Sequence, residues 1–408
     1  MRAGFGRFEI TPPMGVELAG YGYYLGRCAR SVRDPLYARA LFLQEGALRA
    51  LIISCDLLGL SREVCSDVFN HAGKLGIAEE NILIVSIHTH TGPCIKYHEG
   101  CGYPNADYVA TVAHGICRAI DAAYDDLDDI DTLEYVRMPF DGNHIYNRTI
   151  ENGPVDRFVR GFTLSRKAHA PIAAVSAACH GVFRGIDTAV SADFAGEICR
   201  LLDAKGMQTI YLNGLCGDID PTKKKDSELL HSFANLVTDR FLAKKTLLPM
   251  TLSGSSFPFT LKLTPVTTDD IHAAAMQAVQ RAGGRDMPAA RVALTWEREM
   301  LEKFERLCDH ESITVKYLLL GGIPVMALPF EGFTQIGMDI RRISGQEDAL
   351  ILGCAEELLG YLPTKDDISR GTYAALESTF LYKRLPVVPG EAERLGEEMG
   401  FALERILT

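Results

Sequence analysis

The sequence predicts an α/β fold of mixed β-sheets with flanking helices, and three observations carry that prediction. Short runs rich in Val, Ile and Leu, bounded by polar or Gly/Pro residues, read as buried strands. Longer stretches between them repeat apolar residues at three-and-four spacing, the period of a helix with one buried face. The chain has 408 residues, 47% hydrophobic and 23% charged, so it can bury a large core and has an ordinary globular composition.

The expected strands are residues 50–55, 82–87, 172–179, 209–212, 315–320 and 325–328. The expected helices are residues 107–124, 193–204, 227–242, 269–282 and 288–307, the last ending at Leu307-Cys308-Asp309. Helices lying between strands favour mixed sheets covered by helices. No repeat at a solenoid or propeller period interrupts the pattern. Residues 246–265, with Ser253-Gly254-Ser255 at the centre, read as a strand pair. They mark a weak subdivision near 245–265 in a single domain over 1–408.

A formal net charge of −11 argues against a nucleic-acid partner, which needs a clustered positive surface. The compact basic run Lys223-Lys224-Lys225 reads as a solvated loop. No apolar stretch reaches the roughly 18 to 20 residues of a membrane span, and Met1 to Arg7 is followed by no apolar signal core. The expectation is a cytoplasmic protein without membrane insertion, acting on a small molecule; the oligomeric state stays open. Eleven cysteines, an odd number with no Cys-x-x-Cys pair, are expected as reduced thiols.

Metal-type side chains recur directly after strands: Asp56, His88 and His90, His180, Asn213 and Glu331. Ligand sites in α/β sheets form at the carboxyl ends of strands, where connecting loops converge. If residues 82–90 are extended, His88 and His90 project to one face and reach one cavity, with Gly92-Pro93 ending the strand. Neutral imidazole is a preferred zinc ligand, although a pair of structural histidines is the plainer alternative. His180 offers a third nitrogen. Cys179 beside it raises a thiol nucleophile, but neighbouring strand residues face opposite ways. Glu331 either ligates a metal or caps a helix, and Tyr361 by itself reads as a core tyrosine. In the turn Asn213 to Pro221, Asp218 and Asp220 can divide loop-holding from water activation. Asn147-Arg148 offers an amide and a cation for a substrate carbonyl or carboxylate, with a surface arginine as the default.

These segments, in this order, resemble the catalytic domain of the neutral, or neutral/alkaline non-lysosomal, ceramidase family. Gly4-Phe5-Gly6-Arg7-Phe8-Glu9-Ile10-Thr11-Pro12-Pro13 is similar to its opening motif, Tyr37-Ala38-Arg39-Ala40 to its first strand, and His88-Thr89-His90-Thr91-Gly92-Pro93 to its most diagnostic run. Asn147-Arg148, the strand ending at His180, Ser191-Ala192-Asp193-Phe194, Gly217-Asp218-Ile219-Asp220-Pro221 and Glu331 with Phe333-Thr334 extend the match over nearly the whole chain.

The resemblance implies one Zn2+ held by His88, His180, Glu331 and Tyr361, with His90 behind them. Cleavage of a linear amide is expected, with Asp220 and His90 handling protons, Arg148 and Asn147 orienting the substrate, and Asp218 and Asn213 completing the substrate-binding set. Two departures modify it. Asp220 stands where the family carries serine, so direct hydrolysis without a covalent intermediate is expected, with Asp220 as general base or metal contact. The length leaves no room for the family's carboxy-terminal immunoglobulin-like domain, which favours a small soluble amide over membrane ceramide. The alternatives are an esterase, lactonase or glycoside-processing hydrolase on the same scaffold, a metal-dependent binding protein without catalysis, and a thiol hydrolase using Cys179 or Cys216.

Overall fold

A computed structural model of the protein describes residues 1–23 and 26–407. The largest sheet runs in the order Gln208–Asn213, Ile172–Ala177, Phe158–Arg166, Asp128–Pro139, Arg2–Glu9, Tyr37–Glu45, Leu48–Cys55 and Ile82–Ser86. Two pairs in it are parallel, Leu48–Cys55 with Ile82–Ser86 and Ile172–Ala177 with Gln208–Asn213. A second sheet is built from Leu252–Lys262, His310–Leu320, Ile323–Ala327 and Leu350–Leu352. Both contain parallel and antiparallel pairs, which is the mixed α/β architecture expected.

Side-chain alternation decides how the layers stack. Ala3, Phe5, Leu41, Leu43, Leu83 and Val85 of the first sheet pack directly against Leu318, Leu320, Val325 and Leu352 of the second. The opposite face of the first sheet, through Phe42, Leu51, Ile53 and Ile84, packs on the helices Arg62–Lys74, Ala106–Asp125, Asp193–Asp203 and Ser227–Phe241. The outer face of the second sheet packs on Thr268–Ala282, Pro288–Glu302, Thr334–Ser344 and Glu391–Leu407. The result is a sandwich of helices, sheet, sheet and helices, each sheet buried on both faces, which explains the near-continuous apolar runs.

The Gly-Phe-Gly of the opening strand has a packing reason. A Cβ on Gly4 would sit 1.9 Å from the Ala123 carbonyl oxygen, and one on Gly6 would sit 1.9 Å from that of Ala119. Helix Ala106–Asp125 thus lies against bare backbone. Asn105 caps it by accepting from the Tyr108 amide, and Tyr108, Val112, Ile116 and Ile120 form its buried stripe.

Several expectations are corrected. Residues 246–265 do not form a strand pair: Thr246–Leu248 pairs with Asp128–Pro139, and Leu252–Lys262 pairs with His310–Leu320. Each piece finds a longer partner in a different sheet, and Ser253-Gly254-Ser255 is strand, with Gly254 opposite Leu318, rather than a turn. Tyr37–Ala40 belongs to a later strand than the first, since Arg2–Glu9 precedes it and pairs with it antiparallel. The helix expected to reach Leu307 stops at Glu302, where Lys303 leaves helical geometry, and a 3-10 turn Phe304–Arg306 follows. Among the described residues, no helix is long and apolar enough to cross a membrane.

Candidate metal centre

Three strand pairings bring the site together. The loops after Ile82–Ser86 and Ile172–Ala177 are joined by a bridge between Thr89 and Gly181, and the His90 amide donates to the Gly181 carbonyl at 2.9 Å. The short parallel pair Glu331–Gly332 with Tyr361–Leu362 sets Glu331 directly opposite Tyr361. The antiparallel pair Ile219–Pro221 with Ile145–Asn147 sets Asp220 opposite Tyr146, which delivers Arg148 to the same place. Residues scattered over the sequence thus become neighbours through backbone register.

The strand carrying His88 ends at Ser86, and His88 is left-handed, with φ of 64°. The two histidines therefore do not converge by strand alternation as expected. They converge because the chain turns at His88, a conformation that costs roughly 1–3 kcal/mol for a non-glycine residue and is held by surrounding contacts. The His88 amide donates to the Leu57 carbonyl at 2.9 Å.

At the centre, His88 Nε2 lies 3.1 Å from His180 Nε2 and 3.3 Å from His90 Nε2. Glu331 Oε2 lies 3.1 Å from His88 Nε2 and 3.3 Å from His180 Nε2, and the Tyr361 hydroxyl is 3.4 Å from His180 Nε2. His88 Nδ1 contacts the Leu58 carbonyl at 2.8 Å and His180 Nδ1 contacts the Cys216 carbonyl at 2.7 Å. Carbonyls only accept, so each Nδ1 carries a proton and each ring turns its Nε2 inward. Glu331 Oε2 is buried without a hydrogen-bond partner among the described residues.

A set of lone pairs facing one another at this range is repulsive unless a cation sits among them. With zinc–nitrogen bonds of about 2.0–2.1 Å, tetrahedral donors lie about 3.3 Å apart, which matches the observed separations. His88, His90 and His180 all lie within 4.8 Å of one another as potential ligands. The donor set is compatible with a metal ion, and His90 Nε2 lies beside it, 3.3 Å from that of His88. Burial, with His88 and His180 beside it, pushes His90 well below the ordinary imidazole range, so it is neutral. Burial alone would raise Glu331, but His88 and His180 outweigh it and hold the carboxyl well below the carboxylate range.

Arg148 links the flank to the centre. It donates to the Tyr361 hydroxyl and the Gly217 carbonyl, each at 2.8 Å, and to Asp220 at 3.3 Å. Asp220 also receives Lys224 Nζ at 2.7 Å, so one of the three lysines expected in a solvated loop belongs to the site. Burial works against the Asp220 charge, yet Arg148, His180 and Lys224 hold its pKa below the usual value.

Other expected residues serve the loops. Asp218 accepts from the Thr334 amide and hydroxyl and from Asn147 Nδ2, at 2.9, 2.8 and 2.8 Å. Asn213 Nδ2 donates to the Ile87 and Cys179 carbonyls, tying the ends of two strands. Asp56 lies apart, paired with Arg39 at 2.6 Å. Burial pushes the Cys179 thiol well up.

Two residues of the centre carry no strand-end signal. Tyr382 donates to Glu331 Oε1, the oxygen opposite the one that faces the histidines. His98 lines the same cavity as His88, His90 and Glu331. His98 lies in an irregular segment, where periodicity says nothing about direction, and Tyr382 caps the end of the short helix Glu377–Leu381.

No protein-family model matches the sequence, and no curated protein matches it. Solved structures do. The crystal structure of neutral ceramidase from Pseudomonas aeruginosa superposes with a TM-score of 0.76 at 15% identity, covering 100% of this chain and 74% of that one. A ceramidase complexed with C2 superposes with a TM-score of 0.73 at 15% identity, covering 99% of this chain and 75% of that one. Identity this low speaks to the backbone alone, and on that evidence the chain has a neutral-ceramidase-like α/β fold.

Proposed function

We propose that the chain is a zinc-dependent hydrolase that cleaves a linear amide, or a related acyl bond, in a small substrate. The observation that carries the proposal is the inward-facing, buried set of His88, His180, Glu331 and Tyr361, with His90 beside it. Their likeness in fold to solved ceramidases supports the same reading. When bound, zinc supplies Lewis acidity, polarising an acyl carbonyl and making water nucleophilic near neutral pH.

The chain's own residues do the rest. Asp220 is an ionised carboxylate 4% exposed at the rim, placed to accept a proton from water. Arg148, fixed by Tyr361, Asp220 and the Gly217 carbonyl, steadies the Tyr361 oxygen and presents positive charge to an acyl oxygen. His90 Nδ1 is buried and unpartnered, leaving it able to exchange a proton with substrate. Asn147, Asp218 and Asn213 hold the loops that aim these groups. The eleven unpaired cysteines support a reducing, cytoplasmic setting.

The same geometry serves a second reading, an esterase or lactonase. The proton that Asp220 takes from water is then available to the leaving group, the amine of an amide or the alkoxide of an ester. Matched amide and ester substrates separate the two readings. The test of the shared claim is His88→Ala and Glu331→Gln, each measured for zinc content and acyl hydrolysis; loss of both supports the proposal, and full retention of both refutes it.

A further inference from the structure

Beyond the metal donors, the cavity holds a buried polar group that the chain itself leaves unsatisfied. His98 is 6% exposed and lines one cavity with His88, His90 and Glu331. His98 Nε2 is sealed from solvent and has no hydrogen-bond partner among the described residues. A buried, unpaired polar group costs on the order of 1–3 kcal/mol, so a partner that completes it contributes strongly.

The ring is held where it is. The Cys101 amide donates to the His98 carbonyl at 3.0 Å, and the Glu99 amide donates to the Leu381 carbonyl at 3.3 Å. Two residues earlier, Lys96 Nζ is anchored to Glu357 at 2.9 Å and to the Leu358 carbonyl at 3.1 Å. The Tyr382 ring packs 4.4 Å from the His98 ring, and Tyr382 in turn donates to Glu331. His98 is therefore fixed one side chain away from the carboxylate that faces the metal donors.

We propose that His98 is a substrate-contacting residue, pairing with a hydroxyl or amide group that the substrate carries beside its scissile acyl bond. The proposal rests on the hydrolase reading and narrows its substrate class. Burial, with Lys96 nearby, pushes the imidazole down to about 3, so it offers one N–H donor and one acceptor and suits a neutral polar group. Leu58, Cys101 and Leu381 supply the apolar wall.

The test uses the full chain loaded with zinc and two isosteric metal-binding probes, glycolohydroxamate, which ends in a hydroxyl, and propionohydroxamate, which ends in a methyl. Calorimetry on the unsubstituted protein should show a preference of about tenfold or more for the hydroxyl probe, the size expected when a polar site is left unpaired by the wrong ligand. His98→Phe should bring the ratio close to one with zinc stoichiometry unchanged, and His98→Gln should restore part of it. Equal binding of the two probes, binding of neither, or an undiminished preference in His98→Phe overturns the proposal. No zinc uptake refutes the hydrolase reading, whereas zinc uptake without preference refutes this inference alone.

Discussion

His88 and His180 face each other Nε2 to Nε2 at 3.1 Å, each having committed its Nδ1 proton to a backbone carbonyl. Two Nε2 lone pairs so placed repel unless a proton or a metal ion lies between them, and a bound metal turns the contact into coordination. The chain should therefore be markedly less stable after chelation. At a metal concentration a thousandfold above Kd, binding contributes about 4 kcal/mol. Thermal unfolding with and without chelator checks this; His180→Ala should be insensitive to the chelator, and an equal response in both proteins would contradict the assignment.

Tyr382 orients Glu331 through one hydrogen bond to Oε1, leaving Oε2 for the metal. Partners of this kind typically change metal affinity about 10–100-fold. Tyr382→Phe keeps the ring on His98 and should lose zinc affinity by that factor while retaining its fold. Competition against a zinc indicator reads the change, and unaltered affinity would remove Tyr382 from the site.

Gly20 has φ of +101°, and a Cβ there would lie 2.5 Å from the His90 ring. Gly20→Ala combines backbone strain with a clash against a site residue, so it should cost roughly 1–3 kcal/mol. It should also weaken metal binding. Chemical denaturation together with zinc titration measures both, and a neutral effect on both would show that this loop yields freely.

Asp220 sits between Arg148 and Lys224. Asp220→Asn keeps the shape and removes the proton acceptor. Acyl hydrolysis should fall by about 10²–10⁴-fold, the usual range for a general base, with zinc still bound. Loss of zinc along with activity would instead make Asp220 a metal contact.

Burial pushes the Asp193 carboxyl up to about 6, although the amides of Phe183, Arg184 and Phe194 point at it. A carboxyl raised in the folded state adds stability below its unfolded pKa near 4 and loses it as pH rises through the folded value. Between pH 4 and 6, the Tm advantage of the unsubstituted protein over Asp193→Asn should therefore shrink as pH rises. Calorimetry at several pH values checks it; a widening gap would mean the carboxylate is stabilised, with its amide contacts outweighing burial.

The legible part of the site follows from strand ends. His88, His180, Asn213 and Glu331 each follow an apolar run, and the sequence marks where such a run stops. The direction of approach was less legible. His88 and His90 meet through a left-handed turn rather than strand alternation, and only register against Gly181 reveals it. Tyr361 is locatable only through its pairing with Glu331, a long-range contact with no local signature, whereas Lys224 reaches back four residues to Asp220 across a turn. His98 lies where no period applies, and Tyr382 caps a helix of five residues, too short to show one. The segment 246–265 was misread because a strand's partner is chosen by the whole sheet, while alternation and turn residues report only on the strand itself.

The most direct measurement of the central claim is anomalous diffraction at the zinc edge from crystals grown without chelator. The account predicts one peak, about 2.0–2.3 Å from His88 Nε2, His180 Nε2 and a Glu331 oxygen. A metal-free cavity with those three side chains in place, or a peak held by other residues, would contradict it.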